Sequence, residues 1–169
     1  STQQPTLFPY TTLFRSDLSE LLVLQKQLQL EIVQVQQFLT DISATRGLAG
    51  LDDGWAEAEK NAQHFQRDLE RTKSLAQALG ASDLGAALDE VGASFPAYYN
   101  AGKRMAQSYV TGGTAAGNAQ MPAFDATSKA LTENVEAAAM SLRKVQAELD
   151  AKNLLTEAAL AKSQRDAAF

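Results

Sequence analysis

Residues 17–47 read DLSELLVLQKQLQLEIVQVQQFLTDISATRG, and the spacing within this stretch decides the fold. Leu18, Leu21, Gln25, Leu28, Ile32, Val35, Leu39, Ile42 and Arg46 follow one another at alternating steps of three and four. Such a stripe runs down one face of an α-helix and has to be covered by another helix. Gly47, with Gly50 close behind, supplies the stop, because glycine accepts the left-handed backbone that closes a helix.

The pattern repeats on the C-terminal side. Asp52 or Asp53 offers an N-cap for a second stripe: Trp55, Ala58, Ala62, Phe65, Leu69, Thr72, Ala76 and Leu79, ended by Gly80. Ser82 or Asp83 is placed to cap a third, Leu84, Leu88, Val91, Phe95, Tyr98, Gly102, Met105 and Tyr109, ended by Gly112 and Gly113. The fourth is Phe124, Ser128, Leu131, Val135, Ala138, Leu142, Val145 and Leu149, with Pro122 near its start, where a missing amide hydrogen is tolerated. The spacing predicts helices over 18–47, 53–79, 83–111 and 119–165. Short connections make successive helices antiparallel neighbours. The expected fold is therefore all-α, an antiparallel up-down-up-down four-helix bundle with long first and fourth helices. At about 1.5 Å per residue the middle two are near 40 Å and the fourth exceeds roughly 60 Å, so it should overhang the 80–82 turn.

Two features depart from the regular pattern. Pro96 falls inside the third helix and predicts a kink or bulge. The first helix carries Leu22, Val23, Leu24, Leu30, Val33 and Phe38 off its seam. A helix apolar on more than one side is buried on more than one side, either in a homodimer contact or in a widened core.

Composition narrows the function. The 169 residues are 45 % apolar and 7 % aromatic, with ten glycines and four prolines, as suits one all-helical domain. There is no cysteine, hence no disulfide framework and no thiolate chemistry. A net charge of −5 without a Lys/Arg run is not the footprint of a nucleic-acid binder. No run of about 18 apolar residues would span a bilayer. The one histidine, His64, lies outside the second seam and reads as exposed. It is too few for a bundle di-iron site and leaves no Ser-His-acid set to argue. No enzyme, cofactor or metal is expected.

Thr6–Ser16 reads TLFPYTTLFRS, which resembles a translated sequencing adapter codon by codon. Residues 1–16 are accordingly expected to be a non-native or disordered segment, and 17–169 the domain proper. The natural chain before Asp17 could then have carried a membrane anchor.

Two runs carry a family resemblance. One is Gln34-Val35-Gln36-Gln37-Phe38-Leu39-Thr40-Asp41-Ile42-Ser43-Ala44-Thr45-Arg46-Gly47 with Leu51-Asp52-Asp53-Gly54-Trp55-Ala56-Glu57-Ala58-Glu59. The other is Tyr98-Tyr99-Asn100-Ala101-Gly102-Lys103-Arg104-Met105-Ala106, continuing through Tyr109, Gly112, Gly117-Asn118, Met121, Phe124 and Asp125. Together they resemble the four-helix-bundle sensor domain of bacterial methyl-accepting chemotaxis proteins, over about Asp17 to Leu155. The resemblance implies a periplasmic bundle held between two membrane helices, dimeric, passing ligand occupancy inward through its last helix. It leaves the ligand open.

Arg46 is the most informative candidate. It takes a seam position that calls for an apolar side chain, and a charge facing a core is costly unless paired or hydrated. Trp55, Tyr109, Asn118 and Phe124 should lie within a few turns of it, because both loops of that end meet there. A guanidinium fork beside aromatic walls and an amide suits a small carboxylate or similar anion. The plainer alternative pairs Arg46 with Asp41, Asp52 or Asp53, or rests it on the carbonyls of its own helix end. Tyr98, Met105 and Lys103 are secondary candidates; the first two also read as core, and Lys103 as solvated surface.

Overall fold

The computed structural model describes the backbone of residues 7–45 and 54–168, with side chains from Arg15 onward. Every described element is helical: α1 Leu7–Thr45, α2 Gly54–Ala78 and α3 Ser82–Ala167. Gly47, Gly50, Asp52, Asp53 and Arg46 lie outside the described residues.

Three helices replace four as continuous runs, because α3 passes from the third stripe to the fourth with one non-helical residue, Gly113, at φ 77° and ψ −168°. That region of backbone space is essentially reserved for glycine. No loop over 112–118 separates the stripes, so Pro122 stands several residues inside the second arm. Contacts across Gly113 join residues ever further apart in sequence. Tyr109 meets Asn118, Tyr98 stacks on Phe124, and Asn134 Nδ2 donates to Ser94 Oγ at 3.1 Å.

Pro96 causes no such break. The backbone keeps helical angles through it, and the residue that leaves them is Gly113, where the sequence set the end of the third helix. The carbonyl that Pro96 cannot serve belongs to Gly92. The turn after α2 follows the expected logic. Gly80 has φ 67°, Gly80 N–H donates to Gln77 O and Ala81 N–H to Ala76 O, at 3.0 and 2.9 Å. This is the paired-bond C-terminal closure that glycine permits. The cap of α3 differs from expectation: Ala81 precedes the helix without a side-chain bond, and Ser82 and Asp83 are its first residues.

At the other end, α1 begins at Leu7, eleven residues before the predicted start at 18. Pro9 falls in its first turn, where amide hydrogens have no intrahelical partner, so a residue lacking one forfeits no bond.

The four stripes form one core. Leu21, Leu28, Val35, Leu39 and Ile42 of α1 are fully covered, as are Phe65, Leu69, Leu84, Leu88, Phe95, Tyr98 and Leu131. Each large apolar side chain so buried contributes about 1.5–3 kcal/mol. Phe65 stacks on Phe95 at 4.1 Å, and Tyr98 on Phe124 at 5.4 Å, so an aromatic column ties α2 to both arms of α3. The off-seam residues of α1 divide. Leu24 is buried and Leu22 and Phe38 pack against the core, while Val23, Leu30 and Val33 stand more than half exposed. His64 is half-buried rather than exposed. From Asp150 onward no described residue is buried, so the last helix leaves the core.

Candidate functional site

A cleft of about 350 Å³ lies where the end of α1 meets both arms of α3 near Gly113. Gln36, Thr40, Ser43 and Ala44 line it from α1, Met105 and Tyr109 from the first arm, and Met121, Phe124 and Asp125 from the second. Gln36, Thr40 and Ser43 are spaced by four and three. They form a polar stripe alongside the seam residues Leu39 and Ile42, one helical face over.

Small residues make the geometry. A Cβ on Gly117 would collide with the Tyr109 ring, so the ring lies directly on the helix backbone there. A Cβ on Gly102 would come within 2.6 Å of Leu39 Cδ1 and 2.8 Å of Phe124 Cε2. Gly102 thus lets α1 and the second arm close on the first, and seats Phe124, only 4 % exposed, at the back of the cleft.

Hydrogen bonds fix what the walls present. Tyr109 donates its hydroxyl to Asn118 Oδ1 at 2.5 Å, Thr40 to Gln36 O at 2.7 Å and Ser43 to Leu39 O at 2.8 Å. Asp125 is exposed and enters no hydrogen bond or ion pair among the described residues.

The candidates from sequence separate clearly. Tyr109, Phe124 and Met105 line the cleft, and Asn118 orients Tyr109. Tyr98 lies beneath, fully buried, stacked on Phe124 and donating to Ile32 O at 3.1 Å. Burial pushes its phenol far up, so it stays neutral. Trp55 packs half-buried against the core and is not among the lining residues. Lys103 turns elsewhere: its ammonium sits 4.3 Å from the centre of the Tyr99 ring. Arg46, next in sequence after the end of α1, lies outside the described residues. Sequence reasoning missed Gln36, Thr40, Ser43 and Ala44 as wall residues. It held these four, and Met121 and Asp125, only inside the two motif runs. The available signal was the polar i, i+4, i+7 stripe beside an apolar seam.

Two other grooves are chemically poorer. One of about 380 Å³ between α2 and α3 is lined by Pro96 and Tyr99 beside Glu59, over the buried Phe95. One of about 630 Å³ beside the 80–82 turn has no aromatic lining, and its Lys73 is already paired with Glu70 and Asp89. Among the described residues no group of three His, Asp or Glu is placed to hold a metal ion.

Searched against family models, curated proteins and solved structures, the chain matches none of them.

Proposed function

We propose that the chain is the extracytoplasmic sensor domain of a chemotaxis receptor, an antiparallel up-down-up-down four-helix bundle that binds a small ligand in the cleft near Gly113. On this reading Gly113 divides α3 into the third and fourth helices, and the contacts that mount outward from it support an antiparallel pair. The observation that carries the functional reading is the cleft itself. It gathers Met105, Tyr109 and Phe124, drawn from the second motif run, against Thr40 and Ser43 of the first. A few convergent polar groups on an aromatic floor are what a small-molecule site requires.

Signalling then follows from differential stabilisation: ligand favours one placement of the last helix against α1, and that bias passes along the helix. The domain would sit in the periplasm, anchored by helices flanking it; none of the described helices is long and apolar enough to cross a membrane. It would act as a homodimer through α1, without catalysis, cofactor or nucleic acid. The same sensor could equally serve a histidine kinase or a cyclase. A second reading, a structural or protein-docking bundle, is favoured by the exposed Val23, Leu30 and Val33 on α1.

A thermal-shift screen of small organic acids, amino acids and amines on the wild type and on Arg46→Ala separates these readings. A ligand at about 100 times its Kd should stabilise by roughly 2.7 kcal/mol, or about 5–10 °C for this length. A shift in the wild type that Arg46→Ala loses places Arg46 at the site. A shift that survives leaves Arg46 structural, and no shift from any compound moves the reading to the docking bundle.

A further inference from the structure

We propose that the cleft selects an organic ammonium with an apolar body, its charge held by Asp125 and its carbon skeleton laid between Tyr109, Phe124 and the two methionines. The inference rests on the reading of this cleft as a ligand site and adds the class of ligand.

The reason is the proton inventory of the walls. Three hydroxyls, of Thr40, Ser43 and Tyr109, already spend their protons on Gln36 O, Leu39 O and Asn118 Oδ1. Towards a ligand each hydroxyl oxygen can therefore only accept. Asp125 is a pure acceptor carrying a full charge. It is a lining residue with no hydrogen bond or ion pair among the described residues. The described lining contains no Lys, Arg or His. Apart from the Gln36 amide, which can donate as well as accept, the polar groups of the lining are acceptors, and with one free carboxylate among them they answer a donor-rich cation. Aromatic faces and thioethers accept the same cation and its methylenes. A carboxylate ligand would meet the lone pairs of Asp125 and the hydroxyls, with the Gln36 amide as its one neutral side-chain donor.

Three probes with a shared phenethyl body test this: phenethylammonium, 3-phenylpropionate and 2-phenylethanol, each titrated into ¹⁵N-labelled full chain while amide resonances are followed. The expected result is that phenethylammonium moves the amides around Tyr109, Phe124 and Asp125. Asp125→Asn should weaken it about fivefold or more, with an unchanged helical circular-dichroism spectrum. If 3-phenylpropionate moves those amides at lower concentration and Asp125→Asn does not weaken phenethylammonium, the ammonium assignment fails while the cleft remains a ligand site. If 2-phenylethanol binds as tightly as phenethylammonium, charge recognition is overturned in the same way. If none of the three moves the cleft amides, both the assignment and the cleft reading fall.

Discussion

Glu31 brings a carboxyl into the α1–α2 contact, only 7 % exposed, with Oε2 lacking any hydrogen-bond partner. Desolvation first, then the neighbouring Asp68 carboxyl, pushes its pKa up to about 8; Arg67 opposes them weakly. Tyr98 is the titratable group that reaches the same turn from α3, through Ile32 O, and it stays neutral. The folded protein thus holds a proton that the unfolded chain, with a carboxyl near 4.5, has released. The stability contributed by the protonated group is complete below 4.5 and is lost as pH rises through about 8. Chemical denaturation at pH 6 and pH 9 should show lower stability at pH 9. Glu31→Gln should flatten that difference and raise stability at pH 9 by about 1–2 kcal/mol, a figure discounted for the water that reaches the pair. An unchanged slope in the variant would assign the loss to other groups. The contrast with Arg71 is instructive. Its guanidinium holds Glu20 in a two-pronged pair at 2.8 and 3.0 Å and lowers that carboxyl's pKa. Both partners are exposed, so the pair directs register more than it stabilises.

Among the elements, two glycines of α3 make opposite predictions. Gly113→Ala forces a side chain into the glycine-only region and should cost about 1–3 kcal/mol. Gly85 is helical, with nothing within 4 Å of a built Cβ, so Gly85→Ala should stabilise by up to about 1 kcal/mol. Thermal melts of the two variants should move in opposite directions; parallel movement would mean that Gly113 is not the strained residue. The seams themselves were legible in the sequence, since Leu21, Ala58, Leu88 and Leu131 are buried where the heptad spacing put them. Gln25, the polar member of the first seam, is buried and donates to Val135 O at 3.2 Å. Three things were not legible. Glu31 was not marked for burial, because it flanks the seam and its class is ordinarily solvated. Pro96 predicted a kink or bulge, whereas the backbone keeps helical angles through it and leaves them only at Gly113, the stop that the sequence also marked. The cleft was half legible: its aromatics lie on seams, but Thr40 and Ser43 look like ordinary surface until α3 arrives beside them.

At the scale of the whole molecule, Val23, Leu30 and Val33 leave an uncovered apolar strip on α1, at 56, 56 and 58 % exposure. Residues 23 and 30 are one heptad apart and 33 is one step further, the spacing of a helix–helix seam. In the proposed dimer that strip meets its counterpart on a second copy. Sedimentation velocity across a concentration series should then show self-association, abolished in Leu30→Lys/Val33→Lys, while the melting temperature of the monomer barely changes. A monomeric wild type at every concentration would remove α1 as the dimer face. The single-residue break at Gly113 has a mechanical consequence for any such assembly. The two arms of α3 are joined with no slack and tied to each other, near the joint by Tyr109 on Asn118 and farther out by Asn134 on Ser94. In the proposed receptor an axial push on the final arm would drag its partner along, with the sliding surface at the boundary between this braced pair and α1–α2. There the last helix would shift against α1 with the preceding arm carried along, a two-helix piston.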